Sequence, residues 1–238
     1  HDPQARRLLH SVDATLCWFE TGGAHVNLVD TPGYPDFIGR TLPVLEAVET
    51  AAVVIGATTG IEMMSSRMMD WAAKRQLCRM IIVNKIDAEN LDLPELLASL
   101  QETFGKQCLP INLPADRGAR VIDCFANDSG TADFLSVGEV HKLVLEQIVE
   151  VDEAAMEKYL EQGDVDPESL HAPLEKALRE GHIVPICFVS ARTGAGVRDL
   201  LEVFARHLPH PGEGNPPLFY KGEGEAAQEY ASSPDPKK

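Results

Sequence analysis

Little in this chain is positively charged: 21 Lys and Arg stand against 37 Asp and Glu, for a formal net charge of −16. Nucleic-acid backbones are held by Lys and Arg, so nonspecific binding to them is excluded as a general role, DNA is not an expected partner, and any RNA contact would be local. Long apolar runs are also missing. No stretch of 18 or more apolar residues occurs, and the first 30 residues lack the basic start, apolar centre and small-residue site of a secretory signal. A soluble, cytoplasmic protein without a membrane partner is expected. The five cysteines, at 17, 78, 108, 124 and 187, form no Cys-x-x-Cys pair; they are expected to be reduced core thiols that pack as small hydrophobes, with no metal or redox work. His10, His25, His141, His171, His182, His207 and His210 show no metal-ligand spacing beside Cys or carboxylates and are given no chemistry. Finally, no Gly-x4-Gly-Lys-Ser/Thr segment is present, so these 238 residues hold no loop of the kind that cradles a polyphosphate on backbone N–H groups.

What is present is a rhythm of short apolar runs and longer amphipathic ones. The chain is 44% apolar, enough to bury a good core. "HVNLVD", "TAAVVIGATT", "CRMIIVNK", "CLPINLPA" and "HIVPICFVSA" read as strands, several of them apolar throughout, as when both faces of a parallel sheet are covered. Between them "GIEMMSSRMMDWAAKRQ", "DLPELLASLQETFG" and "GVRDLLEVFARHL" carry apolar residues three and four apart and read as helices. Strand, helix and strand in succession predict an α/β fold. The segment 106–180 breaks the rhythm and reads as an inserted lobe. It holds a strand pair, "CLPINLPA" and "RVIDCFA", then acidic helices over 136–163 and 167–181. Half of the net charge falls between Leu145 and Glu180, either as a solvated helical face or as a docking surface for a basic partner. The organisation expected is a main domain over 1–105 and 181–209, the lobe at 106–180, and a Pro/Gly-rich linker into a following domain over 210–238. The chain opens at His1 without Met and is expected to be a piece of something longer.

Three motifs close strands. Asp30-Thr31-Pro32-Gly33 follows "HVNLV", and in doubly wound sheets ligands sit off the carboxyl ends of strands. A carboxylate there suits a Mg²⁺-bound water, and Gly33, lacking Cβ, lets a backbone N–H approach a terminal phosphate. Read alone, the same residues also make an ordinary Asp-Pro-Gly turn. Asn84-Lys85-Ile86-Asp87 follows "CRMIIV". Asp87 suits the paired N–H donors of guanine, which adenine lacks, so that adenine would leave the carboxylate unpaired. Lys85 offers its stem to the base, and Asn84 a tie to neighbouring loops. Ser190-Ala191-Arg192 ends "HIVPICFV", where the Ala191 N–H is expected to donate to a guanine keto oxygen and Ser190 to brace Asp87. Each motif alone is weak; their joint occurrence in this order, each at the end of a strand, points to a guanine-nucleotide fold.

With these motifs the chain resembles the GTP-binding (G) domain of translational GTPases, elongation factor G and more narrowly its elongation factor G-like paralogues. The resemblance runs through "DTPGYPDF", "NKID", the lobe that begins at "PINLPA", "SAR" and the linker. It implies a P-loop NTPase-type, mostly parallel sheet with helices on both faces and an inserted α+β lobe. The first strand and the phosphate loop of that fold are not found in the chain and are expected upstream of residue 1, which leaves a gap in the sheet. It implies GTP/GDP and Mg²⁺ as ligands, hydrolysis of GTP in a ribosome-linked step of protein synthesis, and a monomer. By the same resemblance Asp30, Thr31, Pro32, Gly33, Asn84, Lys85, Asp87, Ser190, Ala191 and Arg192 bind the nucleotide. Asp30 would hold Mg²⁺ through water, and Ser11 would stand in for the family's Mg²⁺-binding Thr. Tyr34 takes the place of a His that orients the attacking water, and a phenol does not take up a proton as imidazole does. A nucleotide-dependent binding module with little hydrolysis is therefore the alternative, and a chain left inert without its phosphate loop is another.

Overall fold

Segments that are apolar on both sides become central strands. A computed structural model describes residues 3–162, 167–215, 219–222 and 228–230. A short helix, α1 (Pro3–Leu8), precedes strands β1 (Thr15–Thr21) and β2 (Ala24–Asp30). These two pair antiparallel around Gly22-Gly23, whose φ angles of +55° and +82° supply the left-handed backbone that a two-residue hairpin turn requires. After α2 (Ile38–Thr41) come β3 (Thr50–Gly56), α3 (Met63–Lys74), β4 (Cys78–Asn84), α4 (Leu93–Phe104) and β5 (Cys108–Pro110). The next segment holds β6 (Asn112–Ala115), β7 (Arg120–Asp123), α5 (Val137–Val149), α6 (Glu153–Gln162) and α7 (His171–Glu180). Then follow β8 (Val184–Phe188), α8 (Val197–Arg206) and a small ladder of β9 (Phe219–Lys221) with β10 (Gln228–Tyr230).

The central sheet has the order β3-β4-β8-β5, every pair parallel. Alternation along β4 sorts its side chains between two cores. Ile81 and Val83 pack with Met69 of α3 and with Leu93, Leu96, Leu97 and Leu100 of α4. Met80 and Ile82 join Val144 and Ile148 of α5 and Leu174 and Leu178 of α7 on the opposite face. The helices of 106–180 thus share a core with the central sheet. β2 makes no ladder with β3 among the described residues, and α8 packs against the β1–β2 hairpin.

Three expectations are corrected. The run 108–115 is not one strand: β5 belongs to the central sheet, and after Ile111, whose N–H donates to the Ile186 carbonyl at 3.0 Å, β6 turns away to pair antiparallel with β7. Pro110 and Pro114 each lack a ladder donor, so the run does not continue as a single central strand. The helix expected over 136–163 is two helices, because Asp152 caps a second one with its carboxylate on the Ala155 N–H at 2.9 Å; the expected end at Gly163 lies outside the described residues. Cys78, Cys108, Cys124 and Cys187 are buried, but Cys17 is exposed on β1. Burial pushes the thiols of Cys78 and Cys108 up to about 11 and that of Cys124 up to about 12, which keeps them protonated and unreactive.

Candidate nucleotide site

Asn84 ends β4 and ties three segments. Its carbonyl accepts from the Ala57 N–H beyond β3 at 2.7 Å, and its side-chain Oδ1 accepts from the N–H of Lys85 at 2.8 Å and of Ala191 at 3.0 Å. The Ala191 N–H, expected to be free for a keto oxygen, is therefore engaged by Asn84. Lys85 adopts φ +69°, and Ile86, 2% exposed, anchors the loop in the core while its N–H donates to the Val189 carbonyl. This left-handed step brings Asp87 under the loop that follows β8.

There, 103 residues further along the chain, the fully buried Ser190 donates its hydroxyl to Asp87 Oδ1 at 2.5 Å. The same hydroxyl accepts from the Thr193 N–H at 3.1 Å, so its orientation is fixed. Arg192 forms an ion pair with Oδ2 of Asp87; its side chain is 78% exposed and that of Asp87 only 11%. The Ser190 hydrogen bond, with help from Arg192, holds the Asp87 carboxyl below the usual carboxylate range. Asp87 is thus a charged acceptor of fixed direction. One of its oxygens meets an exposed guanidinium, a group with the same donor character as the N–H edge of guanine.

The second expected group is built differently. Asp30, exposed at the end of β2, accepts the Ser11 hydroxyl at 3.0 Å. His10 donates from Nδ1 to the Ser11 carbonyl at 3.1 Å and stacks on Tyr34 with ring centroids 4.2 Å apart. Tyr34 itself is 54% exposed. Open space lies where a Cβ on Gly33 would stand. The turn is fastened from behind by Thr41, 2% exposed, whose hydroxyl donates to the Pro32 carbonyl at 3.1 Å. Among the described residues no hydrogen bond or ion pair joins this group to the one around Asp87. Thr41 and the His10 stack escaped the sequence reading, and no local pattern marks either of them.

A family model for the elongation factor Tu GTP binding domain matches residues 2–210. The chain belongs to this family of translational GTPase G domains. An elongation factor G-like protein of Mycobacterium tuberculosis is 31% identical over 242 residues, covering 96% of this chain and 34% of its own length. One from Thermotoga maritima is 28% identical over 214 residues, covering 85% and 31%. A crystal structure from Thermus thermophilus superposes with a TM-score of 0.78 at 33% identity, over 90% of this chain and 34% of that one. The chain therefore spans about a third of the length of the curated relatives it matches. Its mostly parallel sheet with helices on both faces is the fold of a translational GTPase G domain. No helix among the described residues is long and apolar enough to cross a membrane.

Proposed function

We propose that the chain is the guanine-nucleotide-binding domain of an elongation factor G-like translation factor, which hydrolyses GTP in a ribosome-linked step of cytoplasmic protein synthesis. The observation that carries this reading is the Asp87 carboxylate, fixed by Ser190 and lightly covered by Arg192. Guanine would displace the Arg192 guanidinium and offer Asp87 its paired N–H donors. Asn84 would keep the two loops together, and the Lys85 stem would lie along the base. The loop 190–192 would close over the keto edge.

Asp30 and Ser11 fit Mg²⁺ in kind, since both offer hard oxygens on one side of the turn; Ser11 would ligate the ion and Asp30 would hold it through water. Bound there, the ion would neutralise charge on the β- and γ-phosphates. The open space at Gly33 suits the approach of a terminal phosphate to its N–H. In hydrolysis, water attacks the γ-phosphorus, the bond to the β–γ bridging oxygen breaks, and GDP and phosphate leave; the chain contributes position and electrostatics. Tyr34 would orient that water through its hydroxyl.

Because no phosphate loop lies within residues 1–238, nucleotide affinity of this chain alone should be weak. Millimolar GDP should shift the amide resonances of residues 84–88 and 190–192, and ADP should not. Asp87→Asn should exchange guanine for xanthine preference by about 100-fold, as expected when a site's hydrogen-bonding edge is reversed; an unchanged preference refutes the role given to Asp87.

One observation favours a second reading, a nucleotide-dependent binding module with little hydrolysis: the Tyr34 ring is stacked on His10 and carries no ionisable base to the water. Ribosome-stimulated turnover by the complete protein, phosphate loop included, separates the two. Fast turnover that Tyr34→Ala abolishes sinks the binding module, and absence of turnover sinks the enzyme.

A further inference from the structure

The hairpin of β6 and β7 lies outside the three motifs that close strands, yet it touches both loops around Asp87. On one side, Asn112 is 3% exposed and grips the backbone of Phe188, its Nδ2 donating to the Phe188 carbonyl at 3.1 Å and its Oδ1 accepting the Phe188 N–H at 2.7 Å. A side chain thus continues the β5–β8 ladder where β6 has turned away, two residues before Ser190. On the other side, the hairpin turn presses against the loop after β4. Gly118, at φ +74°, comes so close that a Cβ on it would overlap the Ile86 carbonyl oxygen. Further along the hairpin, Val121 packs under Gly196, which closes the loop after β8.

The turn is itself strained, with Asp116 and Arg117 at φ +55° and +59°, a region that costs a side-chain-bearing residue about 1 kcal/mol or more. Successive backbone N–H groups in a tight turn can converge on a concavity that suits an anion. Here the anion is Asp133, whose two oxygens accept from the Arg117 N–H at 2.9 Å and the Gly118 N–H at 2.8 Å. The Asp133 N–H in turn donates to the Pro114 carbonyl at 2.8 Å, so the carboxylate is fixed to the hairpin it holds.

We propose that this hairpin is a positioning platform for guanine recognition, in which Asn112, Gly118 and Asp133 set the spacing of the loops 84–87 and 190–192. It makes nucleotide affinity depend on the packing of segment 106–180. The proposal rests on the reading of those loops as the guanine site. Asp133 makes no hydrogen bond or ion pair with a candidate nucleotide-binding residue, so its effect on the nucleotide is transmitted through the turn and through its neighbour Phe134, whose ring packs edge-on against Phe188.

The test is Asp133→Ala in the whole chain, with Glu157→Gln on α6 as control. Asp133 is exposed, so the urea midpoint should stay near wild type. Amide exchange at Ile86, Ala88, Ser190 and Gly194 should quicken about 10-fold, and GDP should bind about 5- to 10-fold more weakly, as loss of hydrogen bonds to a charged group predicts. Glu157→Gln should change neither. Exchange within twofold of wild type at all four amides overturns the platform. Gly118→Ala, which drives a methyl against Ile86, should reproduce the effect if Asp133→Ala fails to fold. If GDP shifts no resonance of either loop in the wild type, the guanine reading falls, while the exchange comparison still decides whether the hairpin sets the loops.

Discussion

Asp87 and Asp30 are both carboxylates at or just past the end of a strand, yet they are held in opposite ways. Asp87 is 11% exposed at its side chain and meets a buried serine and an arginine from a loop that is tied back through Asn84. Asp30 is exposed and, among the described residues, its side chain has a single hydrogen bond, from Ser11 in a neighbouring loop. Beside it Tyr34 is 54% exposed and leans on one ring. The group around Asp87 is preorganised, so a base would bind it without first ordering the loops. The group around Asp30 has few buried contacts and free space at Gly33, the condition for a segment that must rearrange when a phosphate arrives or departs. On the proposed reading, selectivity and switching would fall on parts of different stiffness.

The comparison breaks most severely at Asn112. Asn112→Ala leaves the buried N–H and carbonyl of Phe188 without partners, which should cost about 3 kcal/mol. Urea unfolding should show that loss, together with faster exchange in the loop after β8 and none in the segment 30–37. A loss below about 1 kcal/mol would mean that water replaces the side chain, and the stiffness of this half would need another source. The matching change in the looser half is Thr41→Val, which removes a buried hydrogen bond behind Pro32. It should cost about 1 kcal/mol and quicken exchange in residues 31–37 while the loops near Asp87 stay protected. If both halves loosen together, they are not separate elements.

Much of the fold was legible because periodicity is local. The apolar run from Met80 to Val83 in β4 and the three-and-four spacing in α3, α4 and α8 translate directly into burial on both faces of a sheet. The residues proposed to read guanine stood out because their chemistry fits two short motifs, Asn84–Asp87 and Ser190–Arg192. What the sequence withheld depends on distant partners. Asn112 meets Phe188 across 76 residues, and Asp133 meets Gly118 across 15, with no spacing rule to announce either. The division of 108–115 into two strands was within reach, since Pro110 and Pro114 both argue against one uninterrupted central strand. Engagement of the Ala191 N–H by Asn84 was not, because an amide side chain has two ends and the sequence does not say which one turns to which loop.

A smaller effect separates the two halves by pH. His207 of the tightly packed half lies against Phe125, ring centroids 4.5 Å apart, beside an apolar cavity of about 20 Å³ lined also by Val144, Leu174 and Val203. Burial lowers its pKa from 6.5; Arg206 and His171 push the same way, while Asp123 and Glu202 oppose them. The unfolded chain therefore binds this proton at a higher pH than the folded one. Stability from the neutral imidazole is complete above the unfolded value of 6.5 and is lost as pH falls below it, towards the lower folded pKa. Between pH 7 and pH 5 the urea midpoint should drop, and amides of β6 and β7, which run to Asp123 beside this histidine, should exchange faster. His207→Phe should flatten that dependence while leaving exchange in residues 30–37 as it was. A slope that persists in His207→Phe assigns the proton to another group and removes His207 as the acid-sensitive point of the stiff half.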